Sequence, residues 1–209
     1  MCDQAQVARR FAHLIPESPR RGRAGFCIRL LGPVIVVVMG VCGSGKTTVG
    51  RLLARELNAD FLDADDFHPA TSVAKMAHGI ALADEDRWPW LDALVAAMRE
   101  KAARGRDVVL ACSALKDAYR ARLRRAGDVG SEVRFAYLKG DAATIAPRLE
   151  SRRSHFMPAS LLASQFAALE EPQQAVVVDI RQAPEAQARQ VAAALAEPLD
   201  SRSGSQAEG

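Results

Sequence analysis

Residues 34–39, VIVVVM, form an unbroken apolar run that is mostly β-branched. A run without polar alternation reads as a strand covered on both faces. Immediately afterwards the period changes, and Val49, Leu52, Leu53 and Leu57 share one helical face. The alternation then repeats. Residues 61–63 predict a short second strand, followed by a loop with a brief helix around 73–77 that Gly79 ends. A longer helix carries Leu91, Leu94, Val95 and Met98 as its apolar stripe and stops at Gly105. Strands are predicted at 108–112, 133–138 and 176–180, and helices at 118–125, 142–152 and 185–195. A loop-plus-helix insertion covers 153–171. Unbroken apolar strands alternating with amphipathic helices predict an α/β fold, a parallel sheet with helices on both faces. No internal repeat interrupts the pattern.

Composition narrows the picture. A chain of 209 residues holds one well-buried domain and only marginally two. With 49% hydrophobic and 25% charged residues it has the balance of a globular enzyme. A net charge of +3 is too small to argue for nucleic acid or membrane, yet allows a local basic patch. No aromatic and basic residues interleave as a base-stacking platform requires, so nucleic-acid binding is not expected. The longest apolar stretch, 28–39, is broken by Gly32 and Pro33 and is too short to span a bilayer. Residues 1–32 carry Arg9, Arg10, Arg20, Arg21, Arg23 and Arg29 among Pro, Gly and Ser. An Arg-rich targeting segment is one reading of them. Asp3 and Glu17 interrupt it and no small-residue cleavage site follows an apolar core, so a flexible extension is expected. The folded domain is then 33–198, and the Ser/Gly-rich stretch 199–209 is expected to be a disordered tail. Cys2, Cys27, Cys42 and Cys112 form no CxxC pair and no zinc spacing, which fits reduced thiols in a cytoplasmic protein.

Gly40-Val41-Cys42-Gly43-Ser44-Gly45-Lys46-Thr47 fits GxxxxGK[ST] between a strand and a helix. The glycines let the backbone wrap close to phosphates with its N–H groups pointing inward, and the following helix turns its positive end to the anion. Lys46 can reach the β- and γ-phosphates, and the Thr47 hydroxyl is the expected Mg²⁺ ligand. A thiol at Cys42 could act as a redox switch near the helix N-terminus, against the plainer reading of a small side chain that fits.

The second strand ends in Asp63-Ala64-Asp65-Asp66-Phe67-His68-Pro69. Ligands of open α/β sheets lie beyond the carboxyl ends of the strands, so these carboxylates are expected to face the phosphates. Alternation along an extended backbone puts Asp63 and Asp65 on one side. One of them can hold Mg²⁺ through water, while the other accepts a proton from, or orients, an attacking hydroxyl. Asp66 reads as a helix cap. Lys75, Arg87 and Lys116 are cationic candidates for an acidic substrate, although lone basic residues are usually solvated surface. Lys116 gains weight from its place just past a buried strand, and Arg87 from its ability to grip a carboxylate in a fork. Arg148, Arg152, Arg153 and His155 precede Phe156-Met157-Pro158. An arginine-bearing lid there would neutralise charge on the transferring phosphoryl and exclude water, against the plainer reading of a basic helix end. His68, beside the acidic cluster, is assigned to the substrate pocket; none of the histidines has metal-ligand spacing.

From Val36 to about Ile180 the chain resembles the gluconate kinases of the thermoresistant bacterial type, relatives of shikimate and adenylate kinases. The resemblance is carried by GVCGSGKTT at 40–48, DADDFHP at 63–69, KMAHG at 75–79, LADEDRWPWL at 82–91, ACSALKDAYR at 111–120 and RRSHFMPASLLASQF at 152–166. It implies a three-layer P-loop fold with a five-stranded parallel sheet in the order 2-3-1-4-5 and a helical lid at about 152–168. It further implies transfer of the terminal phosphoryl of ATP, with Mg²⁺, to the 6-hydroxyl of D-gluconate, in gluconate catabolism, by a homodimer. Carried over by position, Gly40, Gly43, Ser44, Gly45, Lys46, Thr47, Thr48 and Arg152 serve ATP. Thr47 and Asp63 serve the metal, and Asp65, His68, Lys75, Arg87, Lys116 and Arg153 hold gluconate. Lys46, Asp65 and Arg152 take the catalytic roles. Ser72 stands where the family often has Asn, which loosens or re-routes a substrate contact, and the stretch 169–176 is shorter than usual. Competing readings are a kinase of the same fold for another sugar acid or a shikimate-like substrate, and a nucleotide-binding regulator without catalysis.

Overall fold

The computed structural model describes residues 32–78, 80, 82–150 and 159–196. The apolar run becomes β1 (Val34–Met39), flanked in parallel by β3 (Val108–Ala111) and β4 (Glu132–Lys139). β2 (Asp60–Asp63) pairs outside β3, and β5 (Val176–Asp179) outside β4. The order is therefore β2-β3-β1-β4-β5, as expected. The chain leaves β1 for one side of the sheet and later crosses to the other, so the crevice beyond the end of β1 is where an open α/β sheet takes its ligand.

The helices are α1 (Lys46–Leu57), α2 (Ala70–Ala77), α3 (Asp84–Ala103), α4 (Asp117–Arg124), α5 (Ala142–Glu150), α6 (Ala159–Ala168) and α7 (Pro184–Leu195). Strand alternation sorts β1 between two cores. Ile35, Val37 and Met39 pack with Leu91, Leu94 and Met98 of α3 and with Tyr119 and Leu123 of α4. Val36 and Val38 face the other way, against Val49 and Leu53 of α1 and Ala188 and Val191 of α7. Each fully buried aliphatic side chain contributes roughly 1.5–3 kcal/mol, which is why a central strand tolerates no polar position. Among the described residues no helix is long and apolar enough to cross a membrane.

Differences from the expected elements are local. The brief helix begins at Ala70 rather than near Val73, because Pro69, with φ −57°, starts it without an orphan N–H. His78 ends it, its Nδ1 lying 2.8 Å from the accepting Ala74 carbonyl. Gly79, the expected stop, lies outside the described residues, as do 151 and 152 of the fifth expected helix. Of the expected extension 1–32 only Gly32 is described, the tail 199–209 is not, and the lid at 152–168 is described from Ala159 onward.

Candidate active site

The turn after β1 is built by backbone conformation. Gly40 has φ 144°, and a Cβ there would fall 2.9 Å from both the Leu138 carbonyl oxygen and Ser44 Oγ. Gly45, at φ 100°, is the N-cap of α1, a left-handed position that suits glycine. Ser44 is buried, and its Oγ meets no hydrogen-bond partner among the described residues. Lys46 Nζ folds back and donates to the Val41 carbonyl at 3.0 Å. Burial pushes this ammonium below its ordinary value, offset in part by Cys42 and Asp65. Thr48 follows, exposed in the first turn of α1. Gln165 of α6 was not anticipated: its Oε1 accepts the Cys42 N–H at 2.7 Å, tying the helix of the expected lid to the loop. A contact between positions this distant in sequence leaves no local signal. Cys42 and Cys112 are free thiols, and burial pushes Cys112 up to about 12, so it is inert at neutral pH.

The acidic turn reaches the loop from β2. Thr47 Oγ1 donates to Asp63 Oδ2 at 2.9 Å. The extended geometry expected from Asp63 through Asp65 does not occur: Ala64–Phe67 is a 3-10 turn. Asp63 is its cap, accepting the Asp65 N–H at 3.3 Å, so the capping role assigned to Asp66 belongs to Asp63. Turn geometry, not alternation, brings Asp65 near Lys46, close enough for its carboxylate to favour the lysine's charge. The Thr47 hydroxyl and Asp63 carboxylate are hard oxygen donors of the kind Mg²⁺ takes, keeping water and phosphate oxygens for its remaining positions. Among the described residues no group of three or more His, Cys, Asp or Glu side chains converges, so these donors fit a cation shared with phosphates rather than a protein cage.

Trp90, to which the motif by itself assigns no role, joins the acidic turn to the basic helix. Its Nε1 donates to the Ala64 carbonyl at 2.8 Å, and its ring stacks on His68 with centroids 4.4 Å apart. Burial pushes the His68 imidazole below its ordinary value; the Asp65 charge raises it and the Arg87 charge lowers it further. His68 is thereby neutral at pH 7. The charges of Asp65 and Lys46 act on each other and those of Asp65 and Arg87 act on His68, so an electrostatic series runs from the loop to the start of α3.

At the far end of that series, Arg87 and Lys116 converge on a carboxylate of the chain itself. Lys116 Nζ donates to both Asp84 oxygens at 2.9 Å, Arg87 lies 3.5 Å from one of them, and the Tyr119 hydroxyl donates to the same group. Lys116 and Tyr119 together hold Asp84 below the ordinary carboxylate range. Asp84 belongs to the LADEDRWPWL motif, but acidic residues in a first helical turn are routinely explained by the helix dipole. Lys116 is presented by a bend at Ala114, which adopts φ 46°. Arg120, 2% exposed, fixes that bend by donating to the Ala114 and Leu115 carbonyls at 3.1 and 2.9 Å. Lys75 turns instead to Asp86, at 2.7 and 2.8 Å, and Asp86 also accepts the Ala83 N–H at the start of α3. Ser72 is buried, with 2% exposure, in the first turn of α2. Arg152 and Arg153 lie outside the described residues.

A family model described as an AAA domain matches residues 35–172. The chain is 47% identical over 146 residues to a gluconokinase from Arabidopsis thaliana, covering 65% of this chain and 77% of that protein. A crystal structure of a gluconokinase from Sinorhizobium meliloti 1021 superposes with a TM-score of 0.69 at 42% identity, covering 82% of this chain and 98% of that one. An unliganded sugar kinase from Janibacter sp. HTCC2649 gives 0.71 at 45% identity, covering 78% and 94%.

Proposed function

Because the chain belongs to the gluconokinase family of P-loop kinases, we propose that it phosphorylates the 6-hydroxyl of D-gluconate with ATP, yielding 6-phospho-D-gluconate for carbohydrate catabolism. The observation that carries this reading is the joining of the phosphate loop to the cationic end, by Thr47 on Asp63, Trp90 on Ala64 and His68, and Lys116 on Asp84.

In this mechanism the loop backbone of Gly40, Gly43, Ser44 and Gly45 wraps the phosphates, and the start of α1 at Lys46, Thr47 and Thr48 turns its free N–H groups to them. Lys46 exchanges its resting bond to Val41 for the β- and γ-phosphate oxygens, offsetting the charge that develops as the phosphoryl leaves. Thr47 and Asp63 would hold Mg²⁺, which supplies charge neutralisation of the phosphates when bound. Asp65, on its 3-10 turn, orients the attacking hydroxyl and accepts its proton. His68, neutral and stacked on Trp90, offers a hydrogen bond to the polyol, and Arg87 and Lys116 take the carboxylate at its other end. Lys75 acts through Asp86, steadying the start of α3. Arg152 and Arg153 complete the site as lid arginines over the transferring phosphoryl. The same reading includes a homodimer working in the cytoplasm.

A coupled ADP-release assay over sugar acids tests the proposal. Gluconate is expected to turn over well above glucose, shikimate and the water-only rate; equal rates would overturn it.

A further inference from the structure

We propose that Asp84 sets the charge of the acceptor end, so that it takes substrates bearing one negative charge there and discriminates against doubly charged groups such as a phosphate monoester. The inference rests on the reading of Arg87 and Lys116 as the carboxylate-binding end.

Charge balance argues for it. Lys116 and Arg87 supply two cations, and Asp84 is held between them by both, with the Tyr119 hydroxyl donating a further bond. Among the described neighbours, Asp65 is matched by the Lys46 ammonium on which it acts, and the groups closer to Asp84 add no net charge. His68 is neutral, because burial disfavours its cation. Tyr119 keeps its proton, because burial and the Asp84 carboxylate both raise its pKa. Lys75 is matched by Asp86. One positive charge is left over, which a single carboxylate satisfies. A dianion brings a second negative charge into the same space, beside Asp84, where like charges repel and, among the described residues, no third cation pairs with that carboxylate. Discrimination of this kind needs a repulsive group as well as attractive ones, and Asp84 is that group. The consequence concerns the product class: a sugar or polyol already phosphorylated at one end is kept from entering with its phosphate in the carboxylate position.

The site is otherwise built to hold Asp84 still. It lies in the first turn of α3, a helix anchored by Trp90 to the acidic turn and by Leu91 and Leu94 to the core. Lys116 and Tyr119 come from the other side of the crevice, on the segment that Arg120 fixes. Asp84→Asn preserves the shape and removes the charge. It is therefore expected to turn one surplus positive charge into two.

The test is titration calorimetry of D-gluconate and of D-glucitol 1-phosphate, with the phosphate loop filled by a non-hydrolysable ATP analogue and Mg²⁺. The wild type is expected to prefer gluconate. Asp84→Asn is expected to shift the ratio of the two dissociation constants towards the phosphate by on the order of tenfold. Lys116→Gln removes a cation instead and is expected to shift the ratio the opposite way, and the double variant to return it towards the wild-type value. Equal weakening of both ligands in Asp84→Asn, with the ratio unchanged, would mean that Asp84 only holds the site together and would overturn the inference. If Asp84→Asn does not fold, the Lys116→Gln shift decides: an unchanged ratio there overturns it too. Failure of the wild type to bind gluconate sinks the acceptor reading itself, and is distinguishable because it precedes any variant.

Discussion

The two halves of the crevice are made in opposite ways. The phosphate half is a run of eight consecutive residues whose geometry comes from backbone: Gly40 and Gly45 at positive φ, a tight approach to the Leu138 carbonyl, and the start of α1. The acceptor half is made of side chains from three separated segments, 63–68, 84–90 and 114–120, joined by the Trp90 contacts and by ion pairs around Asp84. The first half offers the same donors to any nucleotide phosphate. The second can be retuned one side chain at a time without disturbing the loop, which is how one fold serves many acceptors. Damage to the two halves should therefore separate in kinetics.

The largest expected effect is on the loop. Lys46→Ala is expected to lower kcat by roughly a thousandfold or more, since an ammonium aimed at the phosphates acts chiefly in the transition state; ADP release within tenfold of wild type would contradict that. Asp65→Asn is expected to leave ATP affinity unchanged by calorimetry while lowering kcat by about 10²–10⁴-fold, the range of a lost general base. Equal turnover of this variant and wild type would remove Asp65 from the chemistry. Trp90→Phe deletes the bond to the Ala64 carbonyl, a neutral hydrogen bond worth about 1 kcal/mol, so KM for gluconate is expected to rise about fivefold. KM for ATP should not move; a rise in both would mean that the halves are not independent. Lys75→Ala is expected to change KM for gluconate only about twofold, because a partly exposed ion pair contributes little. A large loss there would indicate direct contact with substrate.

The finest test is a pH profile. Burial disfavours the charged form of Lys46, so in the free enzyme it gives up its proton below the ordinary lysine value of 10.5. The alkaline limb of kcat/KM for ATP, which reports the free enzyme, is expected below that value. The limb of kcat should lie higher, because bound phosphates favour the ammonium. Limbs at the same pH would remove Lys46 as their cause.

Local periodicity carried most of the fold. The unbroken apolar run fixed β1 as a strand buried on both faces, and the stripe of Leu91, Leu94, Val95 and Met98 fixed the inner face of α3, because a side chain's burial follows from backbone period. The phosphate loop was legible for the same reason, being contiguous. The acceptor half was legible only as a set of residue types. That the Asp65 charge acts on Lys46 from a 3-10 turn, that Lys75 turns to Asp86, and that Asp84 stands between Arg87 and Lys116 depend on how separate segments come together. Gln165 on the Cys42 N–H belongs to the same class, whereas Arg120 behind the Ala114 bend is a local contact that no strand or helix period signals. Residue types and their local order set which chemistry was at hand and the elements that carry it. Which charge neutralises which was decided by tertiary structure, because ion pairing depends on distance in space and no spacing along the chain encodes it.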